Sequence, residues 1–440
     1  MNFQQAWQYL DDLQFFKIKL GLDSMARFLD GVGNPQAGLR FVHVAGTNGK
    51  GSVAMDLLTI LAQAGYRVGL YTSPHLSSVR ERFRINHEFI SKAEFAAHAS
   101  RIHASLDGQQ ITYFEFTTAL ALLWFVERQV DLAILEVGMG GRLDATNVVL
   151  PLVSVITNVS MDHEAYLGNT LDLVAMEKAG IIKSGVPVVA GVANDVSRTV
   201  VERACRLRGA PLYLLDRDFQ VTAASGGEWD YQPFSRTGQP LAGLRCGLAG
   251  DHQQANAAVA LAALEVLAQQ GITVPESAIR HGLAVVRWPA RLEYICLKPD
   301  VASLFPLGQH RFLIDGAHNP AGVESLASAL EKEHQDNGII LIWGSMVDKD
   351  AASGLARLAP LCREILLTRV AGERAAEPAA LMESMSPAMR TNARCVVPVA
   401  EALRQAVDLA GPQDLVCVAG SLYLAGEVRH LLLGGVVDDD

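Results

Sequence analysis

The segment HVAGTNGKGS, residues 43–52, sets glycines and one lysine between the apolar run FVHVAG and the helically patterned run SVAMDLLTILAQAG. Such a junction reads as a strand-to-helix turn. The first turn of a helix carries unpaired N–H donors and a partial positive charge. Gly46, Gly49 and Gly51 let that backbone approach a phosphate with no Cβ in the way, and Lys50 adds a full, mobile charge. The strict Walker pattern is broken, because Val44 stands where its first glycine belongs and Gly51 separates Lys50 from Ser52. A glycine-rich turn that packs closely and binds nothing is the alternative.

Further polar residues follow apolar runs: Ser73 after VGLYT, Glu136 at the end of DLAILE, and Asp162-His163 after VSVITNVSM. A hydroxyl and a carboxylate are the hard oxygen donors that Mg2+ prefers. Histidine is an unusual ligand for that ion and serves equally well as hydrogen-bonded support. Glu136, in an otherwise apolar run, needs a cation or a donor if buried. Lys178 in AMEKAGIIK is either a surface ammonium or a buried one, since a glycine-containing apolar stretch follows it. Asn256 in DHQQANAAVA could cap a helix, pack, or read a base edge. DGAHNP, residues 315–320, supplies Asp315 and His318, with Arg291 upstream.

Elements must position these groups. From residue 41 to about 215, the strand-like runs FVHVAG, VGLYTS, DLAILEVG, LVSVITN and PVVAG alternate with helical segments such as FTTALALLWFVERQ and LDLVAMEKAGII. This predicts an α/β fold, a mostly parallel sheet with helices on both faces and its function at the carboxyl ends of the strands. Residues 217–249 lose the rhythm and read as short antiparallel strands, followed by helices near 252–270 and 276–284. The alternation restarts at RFLIDG, IILIWG, REILLT and LVCVAG. The expected domains are therefore 1–287 and a smaller α/β domain, 291–440, with a hinge at 288–290 where Pro289 disfavours helix.

A chain of 440 residues is too long for one ordinary core, and half of its residues are hydrophobic. Its apolar runs stop short of the roughly 20 residues a membrane span needs. The N-terminal run MNFQQAWQYLDDLQFF lacks the basic region of a signal peptide, so a cytoplasmic protein is expected. The six cysteines, at 205, 246, 296, 362, 395 and 417, form no C-x-x-C pair and are expected as reduced, mostly buried thiols. A net charge of −10 without a basic run argues against nucleic acid as a partner, so an anionic substrate needs a local positive site. The acidic ending VVDDD reads as a frayed tail.

The segments AGTNGKGS, TSPHL, TYFEFTT, EVGMGGRLDATN, SMDHEAYLG, EKAGIIK, GDHQQANAA, WPARLE, DGAHNP and GSLYLAGEVR occur here in an order that resembles the folylpolyglutamate synthase family. That family includes bacterial bifunctional dihydrofolate synthase/folylpolyglutamate synthases and belongs to the Mur-ligase superfamily. The resemblance covers nearly the whole chain. GTNGKGS is shared across the superfamily, whereas LDATN and DGAHNP with TYFE point to the folate branch. Ala290 departs from the glycine that many relatives carry.

The resemblance implies a P-loop-type ATP-binding N-terminal domain, a Rossmann-like C-terminal domain and an active site in the cleft between them. It implies that Thr47, Asn48, Gly49, Lys50, Gly51 and Ser52 hold ATP phosphates, and that Ser73, Glu136 and His163 ligate Mg2+. Lys178 would join them as a carbamate. Asn256 would contact adenine, with Arg291, Asp315 and His318 approaching the nucleotide from across the hinge; Lys50, Lys178 and His318 are the implied catalytic groups. Thr112, Tyr113, Phe114 and Glu115, together with Leu143, Asp144 and Ala145, would bind the pterin-containing substrate, and Lys17 to Leu20 would join them.

The implied partners are dihydropteroate, reduced folates and L-glutamate, with the enzyme a monomer. The implied reaction is amide formation through an acyl phosphate. A monofunctional folylpolyglutamate synthase, a Mur-type peptide ligase, a P-loop phosphotransferase and a non-catalytic nucleotide switch are the rival expectations. The phosphotransferase gives DGAHNP no role, and LDATN argues against the peptide ligase.

Overall fold

The computed structural model describes residues 1–13, 21–235, 238–296, 310–334 and 338–434. The expected substrate segment Lys17 to Leu20 and the acidic ending fall outside them. The chain divides into two compact units. The first comprises Met1–His75, Val79–Gly247 and Gln253–Arg287; the second comprises Leu76–Ser78, Leu248–His252 and Trp288–Asp440.

In the first unit, β1 (Phe41–Ala45) is followed by α1 (Lys50–Gln63) and β2 (Val68–Tyr71), then by β3 (Phe83–Ile85) and β4 (Glu88–Phe89). Next come α2 (Tyr113–Glu127), β5 (Leu132–Glu136), β6 (Val153–Ile156), α3 (Leu171–Ala179), β7 (Val188–Ala190) and β8 (Leu212–Leu214). The sheet order is β4-β3-β2-β5-β1-β6-β7-β8. From β2 to β8 every pair is parallel, while β3 and β4 add an antiparallel edge. The central strands are β-branched and apolar because both faces are covered, and β1, β5 and β6 are buried along their whole length. The chain runs to one side of β1 and returns to its other side, which opens a crevice at the carboxyl ends of β5, β1 and β6. The register Val44 beside Glu136 and Ala45 beside Ile156 brings their following loops together.

The same unit holds an antiparallel sheet of β9 (Gln220–Ala223), β10 (Trp229–Gln232) and β11 (Leu241–Leu244), then α4 (His252–Ala268) and α5 (Glu276–Val285). α1, α2 and α4 are apolar nearly all round, as befits helices covered on every side.

The second unit is a six-stranded sheet in the order β12-β13-β17-β14-β15-β16. These strands are Glu293–Cys296, Arg311–Ile314, Ile339–Trp343, Glu364–Leu367, Ala393–Cys395 and Leu415–Ala419, numbered β12 to β17 along the chain. Only β12 runs antiparallel. Alternation along β14 sends Ile339, Leu341 and Trp343 into one core and Ile340 and Ile342 into the other, so helices cover both faces. This is the expected second α/β sheet.

The cysteines are all unpaired; Cys205, Cys362 and Cys417 are buried, but Cys296 and Cys395 are exposed at the ends of edge strands, so the thiols are less buried than composition suggests. Among the described residues, no helix is long and apolar enough to cross a membrane.

Candidate active site

The turn between β1 and α1 is held open by backbone conformations and contacts that require glycine. Gly46 has φ +153°, and a Cβ there would strike the Thr157 hydroxyl. Gly49 has φ +79°, and a Cβ there would strike the Asn256 side-chain oxygen. The loop is laced to the segment after β6. Thr47 N–H donates to Asn158 O (3.1 Å), Asn48 N–H to Asn158 Oδ1 (2.9 Å), and the Thr157 hydroxyl to Asn48 O (2.5 Å). Thr47 Oγ1 donates to Ser160 O (2.9 Å) and accepts from Ser160 N–H (3.0 Å). Lys50 opens α1 and folds back, its Nζ 3.0 Å from both Gly46 O and Thr47 O. Gly51 and Ser52 lie buried in the first turn, where helix N–H groups are unpaired.

Glu136 ends β5, buried, and its Oε2 accepts from Ser73 N–H at 3.1 Å. His163 has φ +51°, and its Nε2 is 3.9 Å from Asp162 Oδ1. Among the described residues, no three His, Cys, Asp or Glu side chains cluster as a metal cage. A Mg2+ ion that keeps its waters does not require one, and the buried Glu136 carboxylate, met by the backbone N–H of Ser73, together with that serine's hydroxyl offers hard oxygen donors of the kind that fit it. Lys178, on α3, is only 3% exposed. Burial first and the charge of Lys50 second push its ammonium down to about 7, with Asp162 opposing. Near neutral pH much of this lysine is therefore a free amine, the form that adds carbon dioxide.

The two segments expected to hold substrate have structural tasks as well. Thr112 caps α2 by accepting from Glu115 N–H (3.2 Å), while Glu115 Oε2 accepts from Thr112 N–H (2.7 Å). The other Glu115 oxygen accepts from the Ser24 hydroxyl. Phe114 packs against Tyr71 and fills the space beside Gly138. Asp144 is buried, and its Oδ2 accepts from Met139 N–H (2.9 Å). Its Oδ1 accepts from Thr146 N–H (3.0 Å) and the Thr146 hydroxyl (2.5 Å). Burial raises its pKa. Leu143 and buried Ala145 flank it. The loop is fastened to α3: Arg142 grips Glu177 through Nε and Nη2, and Gly141 lies against the Glu177 and Lys178 carbonyls.

In the second unit, Asp315 follows β13. Its Oδ2 accepts from Leu292 N–H (2.7 Å) and its Oδ1 from Ala317 N–H (2.8 Å). Burial raises its pKa, and Arg291 works against that. Arg291 Nη1 donates to Ala290 O (2.9 Å). His318 Nδ1 donates to Gly316 O (2.7 Å), which leaves Nε2 as the neutral ring's acceptor. Ala290 has φ +56°, a left-handed conformation that favours glycine and strains an alanine.

Residues 44–264 match the Mur ligase middle domain, and residues 305–422 match the Mur ligase glutamate ligase domain. The folylpolyglutamate synthase of Lacticaseibacillus casei is 40% identical over 418 residues, covering 92% of this chain and 93% of that protein. The chain belongs to the folylpolyglutamate synthase family. Two solved structures of the family superpose along its length. Escherichia coli FolC in complex with DHPP and ADP is 31% identical with a TM-score of 0.87, covering 98% of this chain and 97% of that one. The bifunctional folylpolyglutamate synthase/dihydrofolate synthase of Yersinia pestis, complexed with AMPPNP and a Mn ion, is 33% identical with a TM-score of 0.85 and 98% coverage of both chains.

Several neighbours of the family motifs escape a motif-based reading. Asn158 and Ser160 fasten the phosphate loop, and their signal was the polar stretch TNVS after an apolar strand. His43, inside β1, bonds the Thr146 hydroxyl through Nε2 (2.8 Å), and burial together with Lys183 lowers its pKa to about 3. Because Thr146 gives its proton to Asp144, the neutral His43 donates from Nε2. Gln253 Oε1 accepts from Asn256 Nδ2 (2.8 Å), orienting the expected base-reading amide. The T-x-x-E spacing of TYFE was itself a legible capping box.

Proposed function

We propose that the chain joins L-glutamate to dihydropteroate and to the glutamate tail of reduced folates, using ATP and a divalent metal. As a member of its family it is an ATP-dependent ligase. The structural observation that carries the assignment is the convergence on one crevice of a glycine turn ending in Lys50, the Ser73-Glu136 pair and the buried amine of Lys178. The relatives' complexes with ADP, with DHPP and with Mn support the same assignment.

Amide formation from a carboxylate fails unaided because hydroxide is a poor leaving group. The acid's carboxylate oxygen attacks the γ-phosphorus of ATP, ADP departs, and an acyl phosphate remains. The glutamate amine then attacks the acyl carbon, and the tetrahedral adduct expels phosphate. Lys50 swings from the loop carbonyls to the transferring phosphoryl group, while α1 N–H groups and the glycine turn hold the remaining phosphates. Ser73, Glu136, His163 and carbamylated Lys178 would hold Mg2+, which neutralises phosphate charge when bound. Asn256, fixed by Gln253, contacts the base, and Arg291, Asp315 and His318 bind the nucleotide. Thr112–Glu115 and Leu143–Ala145 shape the pterin site chiefly through backbone and ring surfaces, because the carboxylates of Glu115 and Asp144 already accept bonds from the chain.

Restriction to the polyglutamate reaction is the second reading, favoured by the name of the Lacticaseibacillus casei relative. We place the enzyme in the cytoplasm as a monomer. Purified protein given ATP, Mg2+, L-glutamate and either dihydropteroate or tetrahydrofolate tests the proposal. Product with both acids supports it, product with tetrahydrofolate alone selects the second reading, and product with neither rejects both.

A further inference from the structure

Arg82, between β2 and β3, is a charged side chain that the proposed reaction does not yet use. It is only 7% exposed. Its Nε donates to His75 Nδ1 at 2.9 Å, so that nitrogen carries no proton and His75 offers no negative charge. Its guanidinium carbon lies 5.2 Å from the centre of the Tyr113 ring. Among the described residues, no carboxylate stands within ion-pair distance of it, and neither Nη forms a hydrogen bond.

A buried cation without an anion is costly, and proteins ordinarily pair it. Here a neutral imidazole and an aromatic face offset only part of that cost. Aromatic rings stand around it: the partly exposed Tyr113 and Phe114 come from the TYFE segment, and the buried Tyr71 lies against both Phe83 and Phe114. A guanidinium presents its remaining N–H groups as a planar fork matched to an sp2 oxygen.

We propose that Arg82 is a substrate-binding residue that donates from its two Nη groups to an sp2 oxygen of the folate-type acid, with Tyr113 supporting the guanidinium from one face. The inference rests on the assignment of a folate-type substrate and adds a residue to its recognition. Two oxygens of such an acid have the right chemistry, the lactam oxygen of the pterin ring and the carboxylate.

The test is equilibrium binding of three probes, each in the presence of AMPPNP and Mg2+: dihydropteroate, its 4-amino-4-deoxy analogue and its methyl ester. Wild type, Arg82→Met and Arg82→Lys are compared, with thermal melting and AMPPNP affinity measured on each. Arg82→Met should bind dihydropteroate at least about tenfold more weakly, the scale of losing a charge-assisted hydrogen bond. Its AMPPNP affinity should be unchanged and its melting temperature unchanged or higher, because an uncompensated buried charge is gone. Arg82→Lys should recover part of the affinity.

A tenfold loss that disappears for the 4-amino-4-deoxy analogue assigns the lactam oxygen; one that disappears for the ester assigns the carboxylate. Equal dihydropteroate affinity in wild type and Arg82→Met overturns the inference, as does a lower melting temperature accompanied by loss of AMPPNP binding. Wild type that binds none of the probes would instead reject the folate assignment itself.

Discussion

Asp56 lies on α1, the helix that begins at Lys50, and it is fully buried with neither carboxylate oxygen hydrogen-bonded. Burial alone raises its pKa well above the ordinary value, so it folds as the neutral acid. The native state therefore holds a proton that the unfolded chain releases once the pH exceeds the ordinary carboxylate range. Stability contributed by this site is complete below the unfolded pKa and is lost as the pH climbs toward the folded value, by about 1.4 kcal/mol per pH unit.

Asp56→Asn removes the titration and keeps the shape. Asp56→Leu also removes the unsatisfied polar atoms, worth roughly 1–3 kcal/mol more. Urea denaturation of the three proteins between pH 5.5 and 7.5 should show both variants gaining on wild type as the pH rises, by up to about 1.4 kcal/mol per pH unit while the folded acid stays protonated. Asp56→Leu should be the more stable variant throughout. A gap between wild type and Asp56→Asn that does not change with pH would refute the neutral buried acid.

Lys50→Ala should leave the melting temperature within a few degrees of wild type and reduce kcat by on the order of 10²-fold or more, since a fixed positive charge is missing during phosphoryl transfer; steady-state kinetics checks this. Lys178→Ala should lose activity and recover part of it with short carboxylic acids, which kinetics with added acetate or propionate measures; an unmodified ammonium in a high-resolution crystal structure grown with bicarbonate and nucleotide would argue against the carbamate. Asp144→Ala removes the acceptor of three loop donors and should cost about 1–3 kcal/mol of stability in denaturant melts. It should also weaken dihydropteroate turnover by roughly tenfold while KM for ATP changes little.

The alternation of apolar strands and helices made both sheets legible, because buried parallel strands are nearly uniform in composition. The glycine turn and Lys50 were equally plain, since positive φ and close backbone approach restrict those positions. What the motifs did not reveal was the work done around them. The caps themselves follow local spacing, T-x-x-E for Thr112 with Glu115 and an aspartate two residues before Thr146 for Asp144, but the bonds of Glu115 to Ser24 and of Asp144 to Met139 exist only once the loops have folded. Asn158 and His43 act through partners more than a hundred residues away and Gln253 through one helical turn, and nothing in local composition marks such pairings. Arg82 was hidden for the opposite reason: an arginine in RERFRIN reads as surface charge until its burial is known.

The central claim is that ATP cleavage is coupled to an amide bond between a folate-type acid and glutamate. Its most direct measurement is mass spectrometry of the folate pool with parallel ADP release, in reactions that omit ATP, glutamate, acid or Mg2+ one at a time. The account predicts a glutamylated product and one ADP per amide formed only when all four are present. ATP turnover that does not depend on both acid and glutamate, or that yields no amide, would contradict it.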